Sequence, residues 1–237
     1  MDDMMQPEIL YFTQDLESPC SQAVRLRSGI VTLKPGDDFS QYLGTVKAAI
    51  VDVAGEARGP LLKELLKEKI PFAVNGLSGE TPDSLKKLCA AAKRRHIQVC
   101  WLGSLRFEWV MVRLKEFLTA GVLGPLQEMR LTRPPAEGIF ESLKDEDLVN
   151  WLLQGNETAF YSDEVDTEDY MVVVTGARGT ATAVIRADGS NELRIELSNE
   201  PARVLKEESH PRETEIGYFL FAIHTARPWT MLGRVPN

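Results

Sequence analysis

Arg106 stands three residues beyond the apolar run QVCWLG (98–103). A guanidinium past the carboxyl end of a strand can grip a carboxylate or a phosphate through two parallel hydrogen bonds; a salt bridge to Glu108 or Glu141 would employ it structurally instead. Trp101 and Trp109 flank the same point. Their rings could stack on a sugar face, although large aromatics at strand or helix spacing are usually core. Asp37 and Asp38, in LKPGDD, could contact a ribose hydroxyl, or serve as acidic helix-capping residues after a Pro-Gly turn. The remaining reactive types are scattered. His96, His210 and His224 form no H-x-x-H or H-E-x-x-H spacing, so no metal is expected. Cys20, Cys89 and Cys100 form no C-x-x-C pair and suit a reducing compartment as small buried hydrophobes.

These residues must be positioned by their elements. From residue 8 to 103, short apolar runs alternate with amphipathic stretches, the pattern of βα units around a parallel sheet. Strands are predicted at ILYFT (9–13), GIVTL (29–33), AAIVDV (48–53), PFAVN (71–75) and QVCWLG (98–103). Helix starts are marked by Ser18-Pro19, Gly59-Pro60 and Thr81-Pro82. FEWVMVRLKEFLTAG adds a helix with Gly121 at its C-cap. Beyond Pro134-Pro135 the texture changes. One helix, DEDLVNWLLQG, precedes β-like runs at 170–176, 180–187 and 191–198, and EIGYFLFAIHTARPW reads as a closing helix stopped by Pro228. The fold class expected is α/β, a truncated Rossmann-like parallel sheet (1–125) followed by an α+β domain with a mostly antiparallel open sheet (126–237).

The stretch from about Ile70 to Arg130 resembles the Gfo/Idh/MocA family of nicotinamide-dependent sugar oxidoreductases. Gly121 and Gly124 stand where that family has G-x-x-G after a helix, and Arg106 where an arginine follows the preceding strand. The resemblance implies a Glu-Lys-Pro motif at the end of the fourth strand, with the lysine at the substrate. Asn75, Gly76 and Leu77 occupy those positions, and glycine has no proton to transfer. It also implies a catalytic histidine three residues before an aspartate. Asp147 matches the aspartate, but the histidine position falls on Lys144. A Rossmann domain grips pyrophosphate on a glycine-rich turn; TQDLESPCSQAV takes that place here, with no glycine before Gly29 and with Asp15 and Glu17 facing the phosphates. If chemistry survives, Lys144 and Asp147 are the catalytic candidates, and Asn75, Gly76, Trp101 and Arg106 would line a ligand crevice.

Composition narrows the classes. A net charge of -8 opposes general binding to a phosphate backbone, so nucleic acid is not expected as a partner. No apolar run approaches the length of a bilayer span, and a cytoplasmic protein is expected. The resulting expectation is a degenerate, non-catalytic oxidoreductase-like protein without cofactor, acting as a homodimer or partner subunit through the C-terminal sheet. The alternatives are an NAD(P)-dependent oxidoreductase with an altered site, and a small-molecule sensor for a sugar or sugar phosphate.

Overall fold

The computed structural model describes residues 8–76, 82–135, 139–154, 158–207, 211–225 and 233–234. In chain order the first strands and helices are β1 (Ile9–Thr13), α1 (Pro19–Arg25), β2 (Ile30–Leu33), β3 (Ala48–Asp52), α2 (Arg58–Lys67), β4 (Phe72–Asn75), α3 (Pro82–Arg94), β5 (Val99–Leu102) and α4 (Trp109–Thr119). They continue with β6 (Leu126–Arg133), α5 (Ile139–Leu153), β7 (Ala159–Glu164), β8 (Tyr170–Gly176), β9 (Gly179–Ile185), β10 (Glu192–Leu197), β11 (Arg203–Lys206), α6 (Pro211–His224) and β12 (Gly233–Arg234). Leu77, Thr81, Pro228 and Trp229 lie outside the described residues.

The first sheet has the order β12-β5-β4-β3-β1-β2. Its five leading strands are parallel and β12 is antiparallel to β5. β1 is buried at every position and β3 at four of five, which is why both read as unbroken apolar runs rather than alternating ones. Ser18 caps α1 by accepting from Ser21 N–H, and Pro19 occupies the first turn, where no amide is missed. From β2 the chain returns to β3 on the far side of β1, crossing through a single short 3-10 turn (Ser40–Tyr42) instead of a full helix. The strand order therefore reverses between β1 and β3, the place where open α/β sheets offer a crevice at their carboxyl ends.

The second sheet has the order β11-β10-β9-β8-β6-β7 and is antiparallel except for the β6–β7 pair. Its covered face carries Met129, Leu131, Val172, Val174, Ala181, Ala183, Leu193 and Ile195, packed with Val110, Met111 and Leu114 of α4 and Leu148 and Leu152 of α5. On these strands Val172, Val174 and Ile195 belong to the core, whereas Val184 and Leu197 are only partly buried.

The chain divides into two compact units: Met1–Ser104 with Gly138–Phe140 and Arg212–Asn237, and Leu105–Glu137 with Glu141–Pro211. This cut differs from the 1–125 and 126–237 division expected from the change in sequence texture. The reason is packing. Val110, Met111 and Leu114 are completely buried in the core of the second sheet, and each such side chain contributes roughly 1.5–3 kcal/mol of burial, so α4 goes with that sheet. The closing helix α6 instead belongs to the first unit.

Glu215 fastens α6 there. Its carboxylate, 2% exposed, accepts from Gly103 N–H at 2.8 Å and Ser104 N–H at 3.1 Å, just beyond β5, and from Arg212 at 2.7 Å. Burial raises its pKa, against the opposing pull of Arg212 and the two amides. A raised folded-state pKa means that the folded chain holds this proton more tightly than the unfolded chain. The contribution is therefore complete below the ordinary carboxyl range and declines as pH rises through the raised value. Glu215→Ala is expected to lower the unfolding free energy by roughly 2–4 kcal/mol, because two amides and a guanidinium lose their acceptor. In urea titrations, the stability of the wild type relative to Glu215→Gln should fall as pH rises from the acid side of the carboxyl range towards neutrality.

Candidate functional site

The carboxyl ends of β1, β3 and β4 meet in a polar network centred on Asp52, the last residue of β3. One carboxylate oxygen accepts from Tyr11 Oη at 2.8 Å and from Ser18 Oγ at 2.7 Å. The other accepts from Asn75 Nδ2 at 2.7 Å. Ser21 Oγ lies 2.7 Å from Tyr11 Oη and donates to the backbone carbonyl of Asp15, and Thr13 Oγ1 donates to that same carbonyl. Thus the crevice at the strand-order reversal is bridged by the protein's own side chains. The amino end of α1, which in a nucleotide-binding βα turn faces a phosphate, is closed by the Ser18 hydroxyl with the Asp52 carboxylate behind it.

This environment suppresses acid–base and thiol chemistry in its buried members. Burial holds the Tyr11 phenol well above its ordinary value. Burial, reinforced by the Asp52 charge, pushes the Cys20 thiol up to about 12. Burial also raises the thiols of Cys100 and Cys89. The thiolate is the nucleophilic form of cysteine, and burial disfavours it at all three.

Asn75 and Gly76 lie at the end of β4, with Asn75 committed to Asp52. Gly76 has φ +66°, a conformation that side-chain-bearing residues rarely adopt, although a β-carbon there would meet nothing within 4 Å. The backbone turn, not crowding, calls for glycine at this position. Trp101 is 2% exposed within β5; it is a core residue and offers no stacking surface, which corrects its place in the expected crevice.

Arg106, Lys144 and Asp147 belong to the second unit. Arg106 and Asp147 form an ion pair, with both side chains 11% exposed. The same guanidinium donates to the Asp147 carbonyl at 3.0 Å and lies 5.9 Å from the centre of the Trp151 ring. Two residues expected to serve a ligand or a proton are therefore engaged with each other. Asp147 gives Arg106 a structural partner beside those the sequence offered, and Glu108 accepts from Asn191 at 3.1 Å. Lys144 lies in α5, its side chain outside the described residues. Among the described residues no group of three or more His, Cys, Asp or Glu side chains could hold a metal ion.

Sequence reasoning missed the role of Asp52 because AAIVDV reads as a buried strand whose one polar residue is an ordinary terminus. The signal was present in its context. A carboxylate ending a strand buried on both faces needs donors, and Tyr11 in β1 and Ser18 at the cap of α1 were available hydroxyls of the adjoining βα unit.

An open cleft of about 890 Å³ lies beside this network on the β1–β2 side, lined by Thr13, Gln14, Asp15, Leu16, Leu33, Lys34, Pro35, Asp37 and Ala57, among others. Asp37, marked in the sequence as a possible ribose contact, does face open space. Asp38 is occupied by Ser40, whose backbone and hydroxyl bonds lower its pKa.

No protein-family model and no curated protein sequence matches the chain. Solved structures do. An oxidoreductase from Agrobacterium radiobacter in complex with NAD+, L-tartaric acid and magnesium superposes with a TM-score of 0.73 at 10% identity, covering 96% of this chain and 91% of that one. The dehydrogenase MviM from Clostridium difficile gives 0.68 at 10% identity, covering 95% and 93%. An inositol dehydrogenase homolog from Azotobacter vinelandii complexed with NADH and myo-inositol gives 0.66 at 10% identity, covering 93% and 89%. The chain has the fold of the Gfo/Idh/MocA-type oxidoreductases, in both its parallel sheet and its mostly antiparallel second sheet.

The buried Arg106–Asp147 pair generates a stability prediction. Arg106→Leu or Asp147→Leu should each cost roughly 2–4 kcal/mol, because each strands a partly buried charge. The double variant should cost clearly less than the sum of the two, as read from a double-mutant cycle in urea.

Proposed function

We propose that this chain is a non-catalytic descendant of the oxidoreductase fold, acting as a binding or partner subunit and assembling as a homodimer through the second sheet. The observation that carries the reading is the Asp52 network. A carboxylate with three internal hydrogen bonds stands behind the amino end of α1, so a diphosphate there would meet like charge where a glycine-rich turn would present amides. The Arg106–Asp147 pair and the Asn75-Gly76 strand end agree with it: Asp147 is engaged by Arg106, and glycine stands at the position matched to the family's lysine.

The dimer is supported by the exposed side of the second sheet. Strand register places Arg130, Val173, Thr182 and Arg194 side by side on one face. Arg130 and Arg194 are exposed, and Val173 and Thr182 only partly covered. Acidic neighbours on the same strands, Glu128 and Glu196, pair with these arginines and give the face both charges, as a self-complementary contact requires.

A second reading, an NAD(P)-dependent oxidoreductase acting on a sugar or related small molecule, is favoured by the neighbours solved with NAD+ and with NADH. It would require the cofactor to avoid the α1 terminus. Differential scanning fluorimetry separates the two. A ligand of the native state raises the melting temperature by mass action, and no shift is expected with millimolar NADH or NADPH. A saturable shift of several degrees, with substrate-dependent oxidation of NADH, would establish the second reading.

The assembly has its own test. Sedimentation equilibrium should return twice the monomer mass. Thr182→Glu should convert the protein to monomer with an unchanged circular dichroism spectrum.

A further inference from the structure

The second sheet ends on one side at β7, which pairs in parallel with β6 over six residues. Its outer side meets no strand among the described residues. All six positions are exposed. A free edge of this kind is a row of unpaired amides and carbonyls that a further extended segment can complete.

The side chains define the segment that would fit. Phe160 stands beside the buried Met129 in the strand register and is 39% exposed, so the apolar face of the sheet runs out to this edge uncovered. Tyr161 and Asp163 alternate to the other face, beside Arg130 and Thr132. Glu164 is held by Arg133 at 2.6 Å, but Asp163, Asp166 and Glu168 are exposed and have no cation partner among the described residues. The opposite edge differs. The cations of β11, Arg203 and Lys206, are paired within the chain with Glu200 and Glu192.

We propose that the β7 edge docks an extended basic segment of another protein as an added strand, with apolar side chains over Phe160 and lysines or arginines against Asp163 and Tyr161. The proposal goes beyond the partner-subunit reading: the surface is an edge, not the face assigned to the dimer, and the occupant is a different protein. Two copies of β7 would bring the same carboxylates together, which disfavours self-pairing there. Acids that merely blunt an edge against chance association would bind no such strand.

Fluorescence anisotropy of the full chain with the labelled peptide KVKTKVKT tests this. Saturable micromolar binding is expected, and none for EVETEVET. The basic peptide N-methylated at every backbone amide keeps its charge but cannot pair as a strand, and should bind at least about tenfold more weakly. Asp163→Lys should weaken the unmodified peptide at least about tenfold by setting like charges together, with an unchanged circular dichroism spectrum. Glu56→Lys, the same change of charge at an exposed residue of the first unit, should not. Absence of binding overturns the proposal and leaves the non-catalytic reading and the dimer standing. Equal binding of the methylated peptide, or equal losses in Asp163→Lys and Glu56→Lys, would reduce the effect to general charge attraction and also overturns it. Association of the chain beyond the dimer that Asp163→Lys and Lys206→Glu both abolish would make β11 of a second copy the occupant, and overturns it likewise.

Discussion

A partly buried carboxylate at the end of a strand needs hydrogen-bond donors, and Asp52 finds three from three different elements. Tyr11 reaches it from β1, Ser18 from the cap of α1, and Asn75 from the end of β4. In a low-dielectric setting such charge-assisted bonds are stronger than neutral ones, and losing one leaves a costly vacancy. The arrangement therefore locks together the strand ends that a nucleotide-binding fold would keep open for ligand. The first sheet keeps its packing because the apolar β1 and β3 do not depend on what lies at their tips.

The second unit shows the same substitution of internal for external partners. Arg106 and Asp147 satisfy each other with the Trp151 ring alongside, and Arg133 is held by Asp145 at 2.7 Å and Glu164 at 2.6 Å. The Arg133 pairs fix α5 on the sheet through Asp145. Likeness of fold alone does not supply an activity.

The sequence made the parallel half of the fold readable because its signals are local. Both-face burial produces continuous apolar runs at β1 and β3, and Ser18-Pro19 marks a helix start through its own hydrogen bond. The second half was less readable. β7 and β11 are exposed at every position, so no alternation of apolar and polar residues marks them, and β12 is only two residues long. β6 was hidden inside a stretch read for its glycines. For the site, the missing glycine-rich turn was visible as a composition, but the group replacing it was not. Asp52 and Asn75 are separated by 23 residues, and nothing in either local segment names the other. Arg106 and Asp147, 41 residues apart, were each noticed singly, and their mutual pairing is a property of the tertiary fold alone.

The clasp made by Glu215 ties residues 112 positions apart, across the whole of the second unit. During synthesis, the opening parallel strands emerge long before the helix that secures the end of β5. At about 5–20 residues per second, the delay is on the order of ten seconds. The intervening unit, with its largely antiparallel neighbours in sequence, has only short loops to close and can form within that interval. The first half of the polypeptide is thus fastened by a contact whose other partner is among the last residues to be made.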